Sequence, residues 1–520
     1  MSNLSHNDSS VYITGAGPGD PGLLTLKAKE IISISDVIVY DNLVSKEILD
    51  LALDINPNVK FIYAGKVGYK QEKSINQQEI NNLLLKLSKE YKTICRLKSG
   101  DPYIFGRGAE EAIFLKENNI NFEIIPGVSS ITAVPAYAGI PLTHRDCTSS
   151  FTVITAHENP ENPDSTIQWE SFDAIKNTLV ILMGVKNLPQ IINKLINLGR
   201  SPYTPLAIIY SGTTSNQKTI KTNLALALKN VDKYTIQAPS LIIIGNVVNY
   251  RDILNWYETK ILFKKKILIT RSKEQASSFA SKLIKQGASP IHCPIVSYEL
   301  TEKEIYNKTI INNLSNFDWI FFTSQNAVKY FFEILNKNYY DARALSKTQI
   351  AAVGYKTKLE LEKYNLRADF IPKRFSLEDL IHELGELKDL QDQKILYPTQ
   401  ETHHGMPQLD ITPWIIYKAN FIEHFNEWGI NQIKDGIDIV TLFSSDTATH
   451  FYNLIKKHDL DTYIKNTLIA TIGHETTKTA KDLFGKADIT AEPFTEDGLI
   501  ESMEKYFALQ ETPLLEEINP

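Results

Sequence analysis

Glycine, acid and base are concentrated in one stretch of the chain, residues 93–111, TICRLKSGDPYIFGRGAEE. Its apolar, β-branched start reads as a buried strand. Ser99-Gly100-Asp101-Pro102 turns out of it, Arg107 stands between Gly106 and Gly108, and Glu110 and Glu111 open a helical pattern. A parallel α/β sheet holds its ligands at such carboxyl ends of strands. The scheme recurs. Gly-Asp-Pro occurs at 19–21 as well as 100–102, each time after a predicted strand, and Ile124-Ile-Pro-Gly-Val-Ser-Ser130 again joins strand, tight turn and helix start. Ala133, Ala136, Ala138 and Gly139 follow, small residues that let backbone approach a bulky ligand closely. Three glycine-rich strand ends in the first quarter of the chain imply one shared cleft.

The first of these loops, Gly15 to Gly22, fits GxGxxG through Gly17, Gly19 and Gly22, and Asp41 lies where a ribose-binding acid is expected. Physical chemistry argues against a dinucleotide. Pro18 and Pro21 remove backbone N–H donors from the loop, and those donors are what hold a pyrophosphate. The loop suits a ligand held by shape and carbonyls. Asp20 is placed to cap a helix whose first residue is Pro21.

These loops need a scaffold, and the chain is long enough to supply several cores: 520 residues imply three or four domains. With 43% hydrophobic and 22% charged residues and a net charge of −6, the composition is globular and gives no bulk signal for nucleic acid. Cys95, Cys147 and Cys293 are far apart and form no CxxC pair, which argues against structural zinc and disulfides and for a reducing compartment. No apolar run is long enough to span a membrane, and residues 1–10 lack the apolar segment of a signal peptide, so a cytoplasmic location is expected. Val11–Thr14 reads as a strand, with a helix after the glycine loop and the next strand beginning at Asp36–Tyr40. The first part closes near 257, residues 258–266 read as a linker, and ILITRS at 267–272 begins a new strand–loop unit with a helix over 274–286.

The motifs GAGPGDPGLLTLKA, YDNLV, RLKSGDPYIFGRGAEE, PGVSSITAVPAYAGIPLTHR, LMG (182–184) and SGT (211–213) stand in the order of a known family. Over residues 11–250 the chain resembles the tetrapyrrole methylases, most closely those that C-methylate uroporphyrinogen III. The resemblance implies two α/β domains, about 11–122 and 123–250 within 11–257, with S-adenosylmethionine in the cleft between them, no metal, and a homodimer formed through this half. Carried over by position, it implies that Pro18, Ser99, Gly100, Asp101, Ile104, Ser129, Ser130, Met183 and Gly212 line the methyl-donor site. It makes Asp41 the proton acceptor and Lys66 the proton donor. Methyl transfer to a pyrrole carbon needs alignment more than covalent help, and the methylated ring must then lose a proton to a base within reach. The substrate carries carboxylates, and Lys98, Arg107 and Arg145 are the candidates to meet them. Three positions depart from the family pattern: Ser99 replaces a glycine, Ser129-Ser130 replace the more usual Thr-Ala, and Leu182 replaces a common aromatic. At positive φ, Ser99 would be strained by about 1 kcal/mol. Ten residues precede Val11, so no NAD chemistry or iron insertion is expected.

The second half repeats itself. Phe322-Thr-Ser-Gln-Asn-Ala-Val328 matches Phe443-Ser-Ser-Asp-Thr-Ala-Thr449 at an offset of 121 residues. Ala352–Thr357 matches Thr471–Thr476, and Phe375–Ile381 matches Phe494–Ile500, both at 119. Each repeat has a strand ending in Ser or Thr at a helix start, a seat for a carboxylate. TRS, FTSQNAV, AVGYKT, FSSDTAT, TIGHETT and DGL together resemble uroporphyrinogen-III synthase over 265–507. That resemblance implies two flavodoxin-like domains within 267–510, one discontinuous (267–299 plus 420–510) and one continuous (303–416). Thr270, Arg271, Ser324, Ser445 and Thr476 are the candidates for carboxylate contacts, and Tyr417 for assisting departure of a hydroxyl. The reading is a bifunctional enzyme that closes hydroxymethylbilane to uroporphyrinogen III and methylates that product to precorrin-2, without nucleic-acid or membrane partners. The alternatives are a methylase of a later corrin precursor, or a second half that binds porphyrinogen without catalysis.

Overall fold

The computed structural model describes residues 9–65, 76–156, 167, 169, 177–230, 237–302, 307–373, 376–400 and 409–511, the side chains of 273, 274 and 511 excepted. The chain divides into two compact units: the described residues of Met1–Ile267, Ser277–Ile291 and Ala491–Pro520, and those of Leu268–Ala276 and His292–Thr490.

Strands β1 (Ser10–Gly15), β2 (Val37–Tyr40), β3 (Lys60–Tyr63), β4 (Thr93–Lys98) and β5 (Asn121–Ile125) form an all-parallel sheet in the order β3-β2-β4-β1-β5. Val37, Ile38 and Val39 are wholly buried, as expected of a strand covered on both faces. The order makes β4, β1 and β5 neighbours, so the three glycine-rich strand ends lie side by side. Asp20 does cap a turn with Pro21 at its start, but that turn is a short 3-10 helix, Pro21–Leu23. The α-helix begins at Leu26, capped by Thr25. A second, mixed sheet contains β6 (Phe151–Thr155), β7 (Thr178–Leu182), β8 (Pro205–Tyr210), β9 (Lys218–Asn223) and β10 (Ser240–Ile244) in the order β6-β7-β10-β8-β9. Of its neighbouring pairs only β6 with β7 is parallel.

Ten further strands follow: β11 (Lys266–Ile269), β12 (Ser289–His292), β13 (Val296–Leu300), β14 (Trp319–Phe322), β15 (Gln349–Ala352), β16 (Ile395–Gln400), β17 (Ile411–Phe421), β18 (Ile439–Leu442), β19 (Leu468–Thr471) and β20 (Ile489–Thr490). One sheet has the order β12-β11-β18-β19-β20. Taken in order of appearance, this is the flavodoxin-like arrangement. The other sheet is β13-β17-β16-β14-β15. It is the same arrangement begun from its third strand: β14 and β15 correspond to β18 and β19, β16 and β17 to β11 and β12, and β13 is added antiparallel at the edge.

The duplication extends to single hydrogen bonds. Asp369 accepts the Ile350 N–H at 2.8 Å, and Asp488, 119 residues on, accepts that of Ile469 at 2.8 Å. The parallel bridge Ala351–Phe370 repeats as Ala470–Ile489. Ser376 and Thr495 cap the helices Leu377–Leu387 and Glu496–Glu511 alike. The first matched segment needs a correction. Phe322 ends β14 and Leu442 ends β18, and Ser324 and Ser444 are the helix caps, so the offset there is 120 and not 121. Strand end and cap set the register, and residue identity misaligned it by one.

Candidate functional site

The loops beyond β1, β4 and β5 are in backbone contact. Gly17 and Gly100 exchange two hydrogen bonds, N–H of Gly100 to O of Gly17 at 2.8 Å and the reverse at 3.3 Å. The Gly17 N–H is thereby committed, a further reason against a pyrophosphate. A Cβ on Gly127 would lie 2.2 Å from the Gly100 carbonyl oxygen, and one on Gly15 2.5 Å from the Gly127 Cα, so these positions admit only glycine. Gly100, at φ +69°, differs: it is buried, but a Cβ there would make only an ordinary contact, 3.8 Å from the Ser130 amide nitrogen at a helix start. Ser99 is half-buried and does not take positive φ, so the strain anticipated there does not arise.

Asp101 spans two of the loops, accepting from Tyr103 N at 2.8 Å and from Gly127 N at 3.0 Å. Ser129 caps the helix Ser130–Tyr137, and Ile104 is exposed. From the second sheet come Met183, just after β7, and Gly212, just after β8. Gly212 packs against Val134, where a Cβ would approach to 2.4 Å, and Thr213 Oγ1 accepts the Asp20 N–H at 3.3 Å. Pro18 sits in the same β1 loop as Asp20. Half of the ten non-glycine residues with positive φ among the described residues fall in these loops: Phe105, Arg107, Met183, Ser211 and Thr213. Such a concentration of costly backbone marks a functional site.

Below the loops lies a buried charge cluster. Arg96 donates to Asp41 Oδ2 at 3.2 Å and to Glu111 Oε1 at 3.3 Å, and Lys98 donates to the same Glu111 oxygen at 2.8 Å. Glu111 is fully buried, and its Oε2 has no hydrogen-bond partner. Burial, then the neighbouring Arg96, pulls the Lys98 pKa down against the pull of Glu111. Asp41 is partly exposed at 26% and also accepts the Leu43 N–H at 3.1 Å. Lys98, placed by sequence among groups that meet substrate, is thus buried and tied to Glu111. Arg107 is exposed in a bidentate pair with Glu110, and Arg145 is exposed. Lys66 lies outside the described residues. Sequence reasoning passed over Arg96 and Glu111, although the signal was present: Arg96 and Lys98 sit two apart in a buried strand, on one face, and need a counter-charge.

In the repeats the candidate groups are hydroxyls. Ser324 caps the helix Gln325–Lys337, and its Oγ lies 3.0 Å from the Tyr417 hydroxyl. Tyr417 is nearly buried, stacked on Tyr330 with centroids 5.4 Å apart, and burial pushes its pKa up to about 12. A phenol is already protonated at neutral pH, so the shift makes this hydroxyl a weaker acid still. Arg271 stacks on Phe443, its guanidinium carbon 4.4 Å from the ring centroid. Thr270 is wholly buried with its hydroxyl given to the Thr441 carbonyl at 2.7 Å, so that side chain is committed within the sheet. Thr476 is buried in the helix His474–Phe484, and Ser445 is the first residue after the Ser444 cap. Among the described residues no group of three His, Cys, Asp or Glu could hold a metal, and no helix is long and apolar enough to cross a membrane.

Known families match both halves. Tetrapyrrole (Corrin/Porphyrin) Methylases match residues 10–227, and Uroporphyrinogen-III synthase HemD matches 277–501. The chain is 33% identical over 505 residues to Porphyrin biosynthesis protein HemD of Ruminiclostridium josui, covering 95% of this chain and 97% of that protein. It is 40% identical over 353 residues to a Uroporphyrinogen-III C-methyltransferase of Bacillus subtilis (strain 168), covering 68% and 71%. It is 44% identical over 260 residues to the S-adenosyl-L-methionine-dependent uroporphyrinogen III methyltransferase of Methanosarcina barkeri, covering 50% of this chain and all of that one. A parallel sheet with glycine-bound strand ends, followed by a permuted duplicate of a five-stranded unit, is thus accounted for from end to end: the chain belongs to the tetrapyrrole methylases, joined in one polypeptide to a uroporphyrinogen-III synthase.

Proposed function

We propose that the second half closes hydroxymethylbilane to uroporphyrinogen III and that the first half C-methylates this product, by way of precorrin-1, to precorrin-2, on the branch toward sirohaem and cobalamin. The observation that carries the reading is the presence of both families in one chain, related over nearly its full length to a porphyrin-biosynthesis protein. The product of one half is the substrate of the other.

Pro18, Ser99, Gly100, Asp101, Ile104, Ser129, Ser130, Met183 and Gly212 hold S-adenosylmethionine. The close backbone packing at Gly15, Gly100 and Gly127 fits a bulky ligand laid against backbone. When bound, the donor supplies an electrophilic methyl group on a sulfonium. Asp41 accepts the proton that the methylated ring must lose, and Arg96 holds its carboxylate in place. Lys66 is the proton donor, and Arg107 and Arg145 meet substrate carboxylates. In the second half Tyr417 donates a hydrogen bond from its phenolic hydroxyl to the departing hydroxyl. Arg271 and the helix starts at Ser324 and Ser445 bind carboxylates. The halves span about 11–257 and 267–510. No metal takes part, the protein works in the cytoplasm, and it pairs through its first half.

One assay tests both activities. The full chain is given hydroxymethylbilane with and without S-adenosylmethionine, and the isomer and methylation state are identified. Isomer III without the donor and precorrin-2 with it are expected. Isomer I alone would remove the synthase reading, and isomer III left unmethylated would remove the methylase reading.

A further inference from the structure

The loop after β8 holds two non-glycine residues at positive φ, Ser211 at +46° and Thr213 at +68°. Such a conformation persists only where its surroundings over-determine it. The Ser211 N–H bond to the Pro239 carbonyl at 3.1 Å and the Thr214 Oγ1 bond to the Ser211 carbonyl at 2.8 Å hold one side of the loop, and a buried amide side chain holds the other. Gln217, fully buried, accepts the Thr213 N–H on Oε1 at 2.8 Å, and through Nε2 donates to Glu258 Oε1 at 2.8 Å and to the Tyr137 carbonyl at 3.3 Å. The amide has only one workable orientation, because a flip would set Nε2 against a donor. Thr219 donates to the same Glu258 oxygen at 2.5 Å. The other oxygen accepts from Arg251 at 2.7 Å, and Arg251 also donates to the Ala138 carbonyl at 2.6 Å. Both Glu258 oxygens are therefore engaged, and its side chain is 12% exposed. At the far end of the chain of contacts, Thr213 Oγ1 takes the N–H of Asp20 in the β1 loop.

We propose that Gln217 and Glu258 are positioning residues for the methyl donor. They fix the Ser211–Thr214 loop, and through Thr213 its seat on the β1 loop, in the donor-binding shape before the donor arrives. The inference rests on the assignment of Gly212 and Pro18 to the donor site. It also ties donor affinity to Glu258, where the segment leading out of the first half begins, so that segment's first residue works with the methylase.

The test uses the full chain, with Gln217→Leu, which keeps bulk without polarity, and the double exchange Gln217→Glu with Glu258→Gln, which restores a hydrogen bond between the two side chains. Calorimetry gives the dissociation constant for S-adenosylmethionine, single-turnover kinetics give methyl transfer at saturating donor, and bilane closure by the second half checks the remainder of the chain. Gln217→Leu is expected to weaken donor binding about tenfold, with the rate at saturation unchanged; the double exchange recovers part of the affinity, since it restores the contact between the two side chains but turns a carboxylate oxygen toward the Tyr137 carbonyl. Unaltered affinity in folded Gln217→Leu would overturn the proposal, as would a loss of saturated rate without a loss of affinity. If Gln217→Leu does not fold, the double exchange set beside Glu258→Gln alone decides it: the proposal requires the tighter donor binding in the double exchange. Amide chemical shifts separate this from the underlying assignment, because a pre-formed loop still responds to a ligand laid against it. If the donor fails to shift the amides of 211–214 in the unaltered protein, the donor site is misplaced. If it shifts them while Gln217→Leu binds normally, the site stands and the clamp does not.

Discussion

In the first half the strand ends run into glycine and left-handed backbone, with four charged side chains packed beneath. In the second, β15 and β19 also end at glycine caps, Gly354 and Gly473, but β14 and β18 run directly into helices capped by Ser324 and Ser444, whose φ values of −151° and −159° are unstrained. The first half holds Asp41 with a buried arginine, whereas beside Ser324 the second offers neutral hydroxyls, Tyr417 at 3.0 Å and, nearby, Thr323 with Tyr397 at 3.5 Å. The difference follows the work proposed for each half. Passing a methyl group between two small reactive centres demands fixed geometry, which strained backbone and buried charge provide. Coiling a flexible polyanion demands several adaptable donors, which helix starts and hydroxyls provide without strain.

The sharpest way to break this contrast is Asp41→Ala. Methylation should fall by about 10²–10⁴-fold while bilane closure is unchanged, measured on one preparation. A parallel loss of closure in the folded variant would mean that the two sites are not separate. Next is Glu111→Ala, which leaves Arg96 and Lys98 buried without their shared carboxylate. It should cost the first half about 3–5 kcal/mol, read from urea unfolding, and a loss below about 1 kcal/mol would mean that water already serves these cations.

Tyr417→Phe keeps the stacked ring and removes the hydroxyl. Closure should slow by about tenfold, and stability should drop by about 1 kcal/mol for the lost hydrogen bond. The unaltered protein adds a pH signature. Because the folded pKa of Tyr417 is raised from 10.0 to about 12, its contribution to stability is fully present below pH 10 and is lost as pH rises toward 12. Urea midpoints at pH 9 and pH 11 should therefore converge between Tyr417→Phe and the parent. The smallest effect tests the repeat register: Ser444→Ala should cost about 1 kcal/mol as a lost cap, and Ser445→Ala about 0.5 kcal/mol or less.

Much of this was legible in the sequence because glycine and proline report backbone directly. Gly-Asp-Pro and Pro-Gly-Val announced strand ends that proved adjacent, and where Pro18 argued against a phosphate cradle, the Gly17 N–H is found bonded to the Gly100 carbonyl. The duplication was legible too, at 119 residues, wherever a cap or turn fixed the spacing. It slipped by one at Phe322, where two phenylalanines aligned better than the strand ends did. Burial was the poorest reading. Lys98 and Thr270 belong to residue types that often meet ligands, but whether a side chain on a strand faces cleft or core depends on partners far away in sequence, here Glu111 and Thr441. Gln217 was invisible for the same reason: its importance lies in where Thr213 and Glu258 stand.

The permuted order of the second half also sets a timetable for its making. Thr270, just beyond β11, gives its hydroxyl to Thr441 in β18, 171 residues later in the chain. At the pace of the ribosome that interval is about 10–30 s. During it β13 to β17 can be completed, while β11 waits for the neighbour it has in the finished sheet. An unpaired strand edge is open to mispairing with other nascent chains. The lobe begun first is thus finished last, and its yield in the cell should respond to how quickly the stretch between is translated.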